Sequence, residues 1–270
     1  MNRPRALSIA GSDPSGGAGI QADLVTMAAF RVFGCSAVTS ITVQNSLGVR
    51  RRFDLPAELV TDQIDAVMED LGAGAVKTGM LPGSGIVAAI ADAVDRHGIV
   101  NLVVDPVLRS SSGTLLVADD VLPAIRELLL QRSALVTPNL AEAAALTGRD
   151  VGTVEEMEEA ARTLRDLGAR CVLVKGGHLD GPPVDVFHDG DRVRRLAGER
   201  IPGDARRGTG CSLSAAIAAG LALGWTLATS VERARRYLRE AIRSSVPLGG
   251  GSEFLDYFVG VDRDGEGDQS

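Results

Sequence analysis

Lysine is nearly missing from this 270-residue chain: of 28 basic residues only Lys77 and Lys175 are lysine, and arginine fills every other basic position. Aromatic residues make up 3% of the sequence, too few for the stacked platforms on which single-stranded nucleic acids bind. Positive charge is also short, with a net charge of -7, so the basic footprint that attracts nucleic acid or anionic membrane is absent and neither partner is expected. The three cysteines, Cys35, Cys171 and Cys211, stand far apart with no Cys-x-x-Cys pair. That spacing argues against structural zinc and against a disulfide framework, and fits a reducing cytoplasm, with Cys35 and Cys171 assigned to the core. His97, His178 and His188 lack metal-ligand spacing, and no Ser-His-Asp set can be assembled around them. Long apolar runs are lacking too. The N-terminal run falls short of an export signal, and Leu213 to Leu223, broken by Gly220, spans only half a bilayer and reads as a buried helix.

What is present is an alternation. Apolar runs at 6–10, 36–44, 75–79, 100–107, 134–139 and 171–177 are separated by stretches with apolar residues at helical spacing. Those stretches begin near Ile20 and cover Pro56–Leu71, Gly85–His97, Asp119–Leu130 and Val154–Leu167, with Ser84 and Thr153 as candidate caps. Near-continuous apolar strands alternating with helices predict an α/β fold, a mostly parallel sheet flanked by helices on both faces. After Lys175 two short runs around Asp189-Gly190 predict an antiparallel edge hairpin, and helices follow at about 211–223 and 228–245. No repeat or linker interrupts the pattern, so a single domain over 1–270 is expected, with 262–270 as a flexible tail.

In such sheets ligands bind beyond the carboxyl ends of the strands, which directs attention to the residues that follow each strand. Gly11-Ser12-Asp13-Pro14-Ser15-Gly16-Gly17-Ala18-Gly19 precedes a helix carrying Gln21 and Asp23, and reads either as backbone that approaches a ligand closely or as a mobile turn. No Gly-Lys-Ser/Thr follows, so it is not a Walker motif. Lys77 and Lys175 each end an apolar strand with glycine following, in Lys77-Thr78-Gly79 and Lys175-Gly176-Gly177, as point charges for phosphate or as simple boundary charges. Arg207-Gly208-Thr209-Gly210-Cys211 opens a helix of small residues, where unpaired N–H groups and the helix dipole make an anion hole. The same field is expected to lower the Cys211 thiol pKa and make it a proton acceptor; a small buried hydrophobe is the alternative.

Asp105, at the end of LVVDP, and Glu142, three residues after Asn139, are positioned to hold magnesium through water, or to serve as a loop carboxylate and a helix cap. Gln44-Asn45 ends the second strand, where amide groups suit a polar heterocycle or a turn.

Taken in order, IAGSDPSGGAGIQADL, VTSITVQNSLGV, KTGM, VVDPV, TPNLAEAAAL, LVKGGH and GTGCSLSAAIAAG resemble the hydroxymethylpyrimidine and phosphomethylpyrimidine kinases of thiamine biosynthesis, members of the ribokinase-like superfamily, from about Ala6 to Ser245. The resemblance implies two successive phosphoryl transfers from ATP, with Mg2+, in a cytoplasmic homodimer, and leaves potassium activation open. It implies pyrimidine contacts at Gly11, Asp23, Gln44, Met80 and Val107, and a catalytic set of Cys211, Lys175, Gly208, Thr209 and Gly210. Lys175, Asn139, Glu142, Gly208 and Gly210 match the nucleotide side, and Asp105 and Glu142 the magnesium side.

The chain departs from the family in three places. Arg207 stands where histidine is usual, Leu108 and Ser111 stand where methionine and lysine are usual, and GGGSEFLDYF at 249–258 replaces a Gly-Pro-x-x-His element. Arg207 is the expected substitute for the missing lysine's charge. Kinases of pyridoxal or a related hydroxymethyl heterocycle are the alternative within the same branch, and a pyrimidine- or nucleotide-sensing module the alternative outside it. A Rossmann oxidoreductase lacks the required Gly-x-Gly-x-x-Gly.

Overall fold

A computed structural model describes residues 3–109, 113, 115–203 and 206–259. The strands are β1 (Arg5–Ser12), β2 (Phe33–Asn45), β3 (Gly48–Asp54), β4 (Ala75–Thr78), β5 (Leu102–Val104), β6 (Leu135–Val136), β7 (Val172–Val174), β8 (Val184–His188) and β9 (Val193–Ala197). The helices are α1 (Gly19–Ala29), α2 (Ala57–Asp70), α3 (Ser84–Arg96), α4 (Val121–Ala124), α5 (Leu140–Thr147), α6 (Val154–Asp166), α7 (Thr209–Ala222) and α8 (Leu227–Arg243). One nine-stranded sheet runs in the order β3-β2-β1-β4-β5-β6-β7-β8-β9. Its six central strands are parallel, as the apolar runs predict.

Successive residues of the central strands enter opposite cores, which is why the sequence shows runs rather than alternation. Leu102 and Val104 face one core while Val103 faces the other, and Leu173 is likewise opposed to Val172 and Val174. Packing on the first face is by branched residues such as Val60, Ile64, Ile90, Leu129 and Leu164 from α2, α3, α6 and the segment after α4. On the second face α7 presents Ala215, Ala216, Ala218 and Ala219, small enough for its backbone to lie close to the sheet. A Cβ at Gly74 would stand 3.3 Å from the Ala222 Cα, so the absence of side chains is what permits this approach.

The hairpin near Asp189 is present as β8–β9, with β8 antiparallel both to β7 and to β9. A second antiparallel edge has no counterpart among the expected strands: β3 pairs with β2 through the turn after Asn45. Its charged sequence, GVRRRFD, lacks the apolar run that marks the other strands, because an edge strand is solvated on more of its surface. Thr153 caps α6 in a reciprocal box with Glu156, whereas Ser84 lies inside α3 and donates to Asp120 instead of capping. The helix expected over 119–130 is a short α turn that widens to π over Ile125–Leu129 and closes as a 3-10 turn. Among the described residues no helix is long and apolar enough to cross a membrane. The proposed tail at 262–270 and the departure at Ser111 lie outside the described residues.

Candidate active site

Strand order reverses beside β1, and a cavity of about 550 Å³ opens there, beyond the carboxyl ends of the central strands. Two register shifts aim residues into it, one in β1 between Ala10 and Gly11 and one in β2 between Val43 and Gln44. Bulges at the rim of a sheet re-aim side chains in this way. The cavity walls bring together Gly11, Gln44, Met80, Asp105, Val107, Asn139, Glu142, Lys175, Gly208, Thr209, Gly210 and Cys211.

Gly208 starts α7 with φ +72, a left-handed conformation that favours glycine. A Cβ there would stand 2.2 Å from the Gly17 carbonyl oxygen, so the two glycine-rich turns interlock. Gly208→Ala is therefore expected to cost about 1–2 kcal/mol of backbone strain, to lower Tm by several degrees, and to raise KM for the nucleotide. An unchanged Tm and KM would mean the interlock is not needed. From this start the free N–H groups of α7 point into the cavity, backed by the helix dipole.

Lys175 follows β7 and reaches the same place. Its Nζ donates to Asp105 Oδ1 at 2.7 Å and lies 3.7 Å from Glu142 Oε2. Burial alone would lower the Lys175 pKa, but the Asp105 and Glu142 carboxylates outweigh it and raise it, so the ammonium is permanent. Asp105, despite burial, is held below its ordinary value by Lys175 and Lys77, and it also accepts from the Thr137 hydroxyl at 3.0 Å. Burial pushes Glu142 up. Asn139 and Glu142 form a reciprocal capping box at the start of α5, so the structural role weighed for Glu142 coexists with its place on the cavity wall.

Three expectations are corrected. Asp23 is not on the cavity wall: it is fully buried, accepting from Lys77 Nζ at 2.7 Å and from Ser8 Oγ at 2.5 Å. Lys77, for its part, borders the cavity but is fully buried and committed to that pair, so it acts there as a fixed charge and not as a free phosphate ligand. Cys211 does not have a lowered pKa. Burial outweighs the Lys77 charge and the Gly19 N–H directed at its sulfur, and the thiol is pushed up to about 11. The helix field is real, but desolvating a thiolate beside Asp23 and Asp105 costs more than the field returns.

Part of the cavity lining is apolar, from Ala10, Met80, Val107 and Leu116. A Cβ at Gly11 would stand 2.5 Å from Met80 Cε, so the missing side chain is what lets the methionine pack directly against the Gly11 backbone. Arg207 also differs from expectation: its side chain is 1% exposed, bonded to Asp13 Oδ2 at 3.1 Å and to the Asn45 carbonyl at 2.7 Å. It supplies no charge to the nucleotide side; its neighbour Arg206 is the one on the cavity wall. Sequence reasoning missed Ser12, Asp13, Thr42 and His178 as cavity residues. Thr42 was detectable as the position two before Gln44 on the same strand face, and His178 as the end of the Lys175-Gly-Gly turn.

The sequence model for phosphomethylpyrimidine kinase matches residues 13–256. The chain belongs to the phosphomethylpyrimidine kinase family. A hydroxymethylpyrimidine/phosphomethylpyrimidine kinase of Rhizobium meliloti is 50% identical over 242 residues, covering 89% of this chain and 91% of that protein. An ADP complex of pyridoxal kinase from Bacillus subtilis superposes with a TM-score of 0.88 at 35% identity, covering 94% of this chain and 97% of its own. Phosphomethylpyrimidine kinase from Clostridium difficile superposes with a TM-score of 0.79 at 38% identity, covering 88% and 99%. The ribokinase-like fold expected from the motifs is therefore the fold this family shares.

Proposed function

We infer that the protein transfers phosphate from ATP to the hydroxymethyl group of 4-amino-5-hydroxymethyl-2-methylpyrimidine and then to the resulting monophosphate, in thiamine biosynthesis. The observation that carries this reading is the convergence of the Lys175 ammonium, the α7 N-terminus and the Cys211 thiol on one cavity that the apolar Met80, Val107 and Leu116 also line. In the first transfer the substrate oxygen bonds to the terminal phosphorus, the bond to the bridging oxygen breaks, and ADP leaves. The alcohol proton passes to Cys211 in its thiolate form. Lys175 and the N–H groups of Thr209 and Gly210 bear the charge that spreads over the transferring oxygens. Gly208, Asn139 and Glu142 form the nucleotide side, and Gly11, Gln44, Met80 and Val107 the pyrimidine side.

Among the described residues no cluster of three metal-ligating side chains exists. That donor set fits Mg2+ arriving on ATP, since this ion takes one or two carboxylates and completes its shell with phosphate and water. Asp105 already accepts from Lys175 and Thr137, so it and the capping Glu142 would hold the ion through water. When bound, Mg2+ neutralises phosphate charge.

The sheet runs unbroken from Arg5 to Ala197 and α7 returns beneath its centre, which supports one domain. The free thiols support a reducing, cytoplasmic setting. A homodimer is supported by the β2–β3 edge, where the cross-strand pair Ile41 and Phe53 is 51% and 63% exposed. Sedimentation is expected to give twice the chain mass, and Phe53→Asp to halve it; a monomeric native protein removes this part.

Single-turnover assays with ATP and magnesium, offering the pyrimidine, its monophosphate and pyridoxal separately, test the main reading. Two successive phosphorylations of the pyrimidine are expected. Transfer to pyridoxal alone moves the assignment to the related vitamin kinase, and transfer to none of them refutes both. Exchanging potassium for sodium in the same assay decides monovalent cation dependence.

A further inference from the structure

We propose that Arg207 is a positioning residue that fixes which way the Gln44 carboxamide faces the pyrimidine, acting through Asp13. This rests on the kinase reading above and names how its ring site chooses a substrate. Asp13 Oδ1 accepts from the Ser15 N–H at 2.9 Å and the Ser15 hydroxyl at 2.7 Å. Its other oxygen, Oδ2, accepts from Arg207 Nη2 at 3.1 Å and from Gln44 Nε2 at 3.2 Å. The second arm of the guanidinium bonds the carbonyl of Asn45, the residue beside Gln44.

A carboxylate accepts and never donates, so Asp13 admits only the NH2 end of Gln44. Flipping the amide would set two oxygens against each other inside a buried network. The Oε1 end then lies 3.2 Å from the Thr42 hydroxyl, leaving one N–H and one oxygen lone pair side by side for the cavity. That fork complements an edge on which a ring nitrogen accepts next to an amino group that donates, as in a 4-aminopyrimidine. Pyridoxal carries no such pair; its adjacent hydroxyl and aldehyde oxygens do not offer the same pattern.

The Asp13 charge needs its buried partner. Arg207 is 1% exposed and Asp13 3% exposed, and a carboxylate at that depth is tolerated only when paired. Arg207 also ties in the C-terminal segment: its N–H donates to the Glu253 carbonyl at 3.0 Å. Phe254 and the Arg207 side chain both press on Gly17, where a Cβ would stand 2.7 Å and 3.0 Å from them. Two of the places where this sequence departs from its family, position 207 and the 249–258 segment, are therefore in contact and brace one turn.

The test is steady-state kinetics of Arg207→Lys, and of the paired change Arg207→Met with Asp13→Asn, using hydroxymethylpyrimidine, pyridoxal and ATP as varied substrates. Losing the oriented amide is expected to raise KM for the pyrimidine about tenfold in the paired variant and less in Arg207→Lys, which keeps a cation on Asp13. The kcat value and KM for ATP change much less, and preference over pyridoxal falls by the same factor as KM rises. In a Gln44→Leu background Arg207→Lys adds no further loss. Should Arg207→Lys fail to fold, the paired variant, which leaves no lone buried charge, gives the same reading. An unchanged pyrimidine KM, or equal losses in kcat and in KM for ATP, overturns the proposal. Absence of pyrimidine phosphorylation by the unaltered protein overturns the kinase reading and this inference together.

Discussion

Lys175→Met is expected to slow both phosphoryl transfers by about a thousandfold, the upper end of what removing one preorganised donor to developing charge costs. Two effects add. The ammonium proposed to face the transferring phosphate is lost, and Asp105 and Glu142, which it held 2.7 Å and 3.7 Å away, remain as buried carboxylates beside an anionic substrate. Arginine is not expected to rescue. A Cβ at Gly210 would lie 3.1 Å from the lysine Nζ, so the space at the mouth of α7 admits a compact ammonium and not a planar fork. Breaking the pair also destabilises the fold, so Lys175→Met is compared with Lys175→Met combined with Asp105→Asn, which removes the uncompensated charge. Single-turnover rates with the pyrimidine and with its monophosphate decide the matter. Retention of either rate within tenfold of the unaltered protein removes Lys175 from the phosphate.

The near-absence of lysine makes this residue legible in the amino-acid sequence alone. In a chain where arginine occupies the other basic positions, two lysines at strand ends stand out, and both border the cavity. Sequence does not separate their roles, because the difference is tertiary. Asp23, on α1, comes to lie against β4 and takes Lys77, while Asp105 and Glu142 take Lys175. The same limit applies to Arg207, whose partner Asp13 is 194 residues away along the chain. Strand periodicity recovers the parallel sheet because both faces are buried; it fails at β3, whose Arg50, Arg51 and Arg52 belong to a solvated edge. Glycine positions carry more than periodicity does. Gly11, Gly208 and Gly210 each mark a backbone approach that a Cβ would obstruct, and the motifs display all of them.

Cys211→Ala is expected to slow phosphorylation of the pyrimidine alcohol by about 10²–10⁴-fold, the usual weight of a general base. It is expected to leave phosphorylation of the monophosphate within a few-fold. The alcohol must shed a proton as it attacks. A phosphate monoester, whose second pKa is near 6, is already a dianion above neutrality and needs only alignment and charge neutralisation. With the thiol pushed up to about 11, only about one molecule in ten thousand holds a thiolate at pH 7. The rate of the first transfer is therefore expected to climb about tenfold per pH unit from neutrality to pH 9.5 without levelling. Cys211→Ala flattens that slope, and the second transfer lacks it in both proteins. Stability permits the measurement. Raised above its ordinary value of 9.0, the thiol contributes stability that is fully present below pH 9 and lost only as pH rises through about 11. Cys211→Ser does not restore the slope, since a hydroxyl at the same site ionises at still higher pH. Equal losses in both transfers, or a first-step profile that levels near pH 7, would mean that Cys211 serves the anion hole by packing and that the alcohol proton leaves by another route.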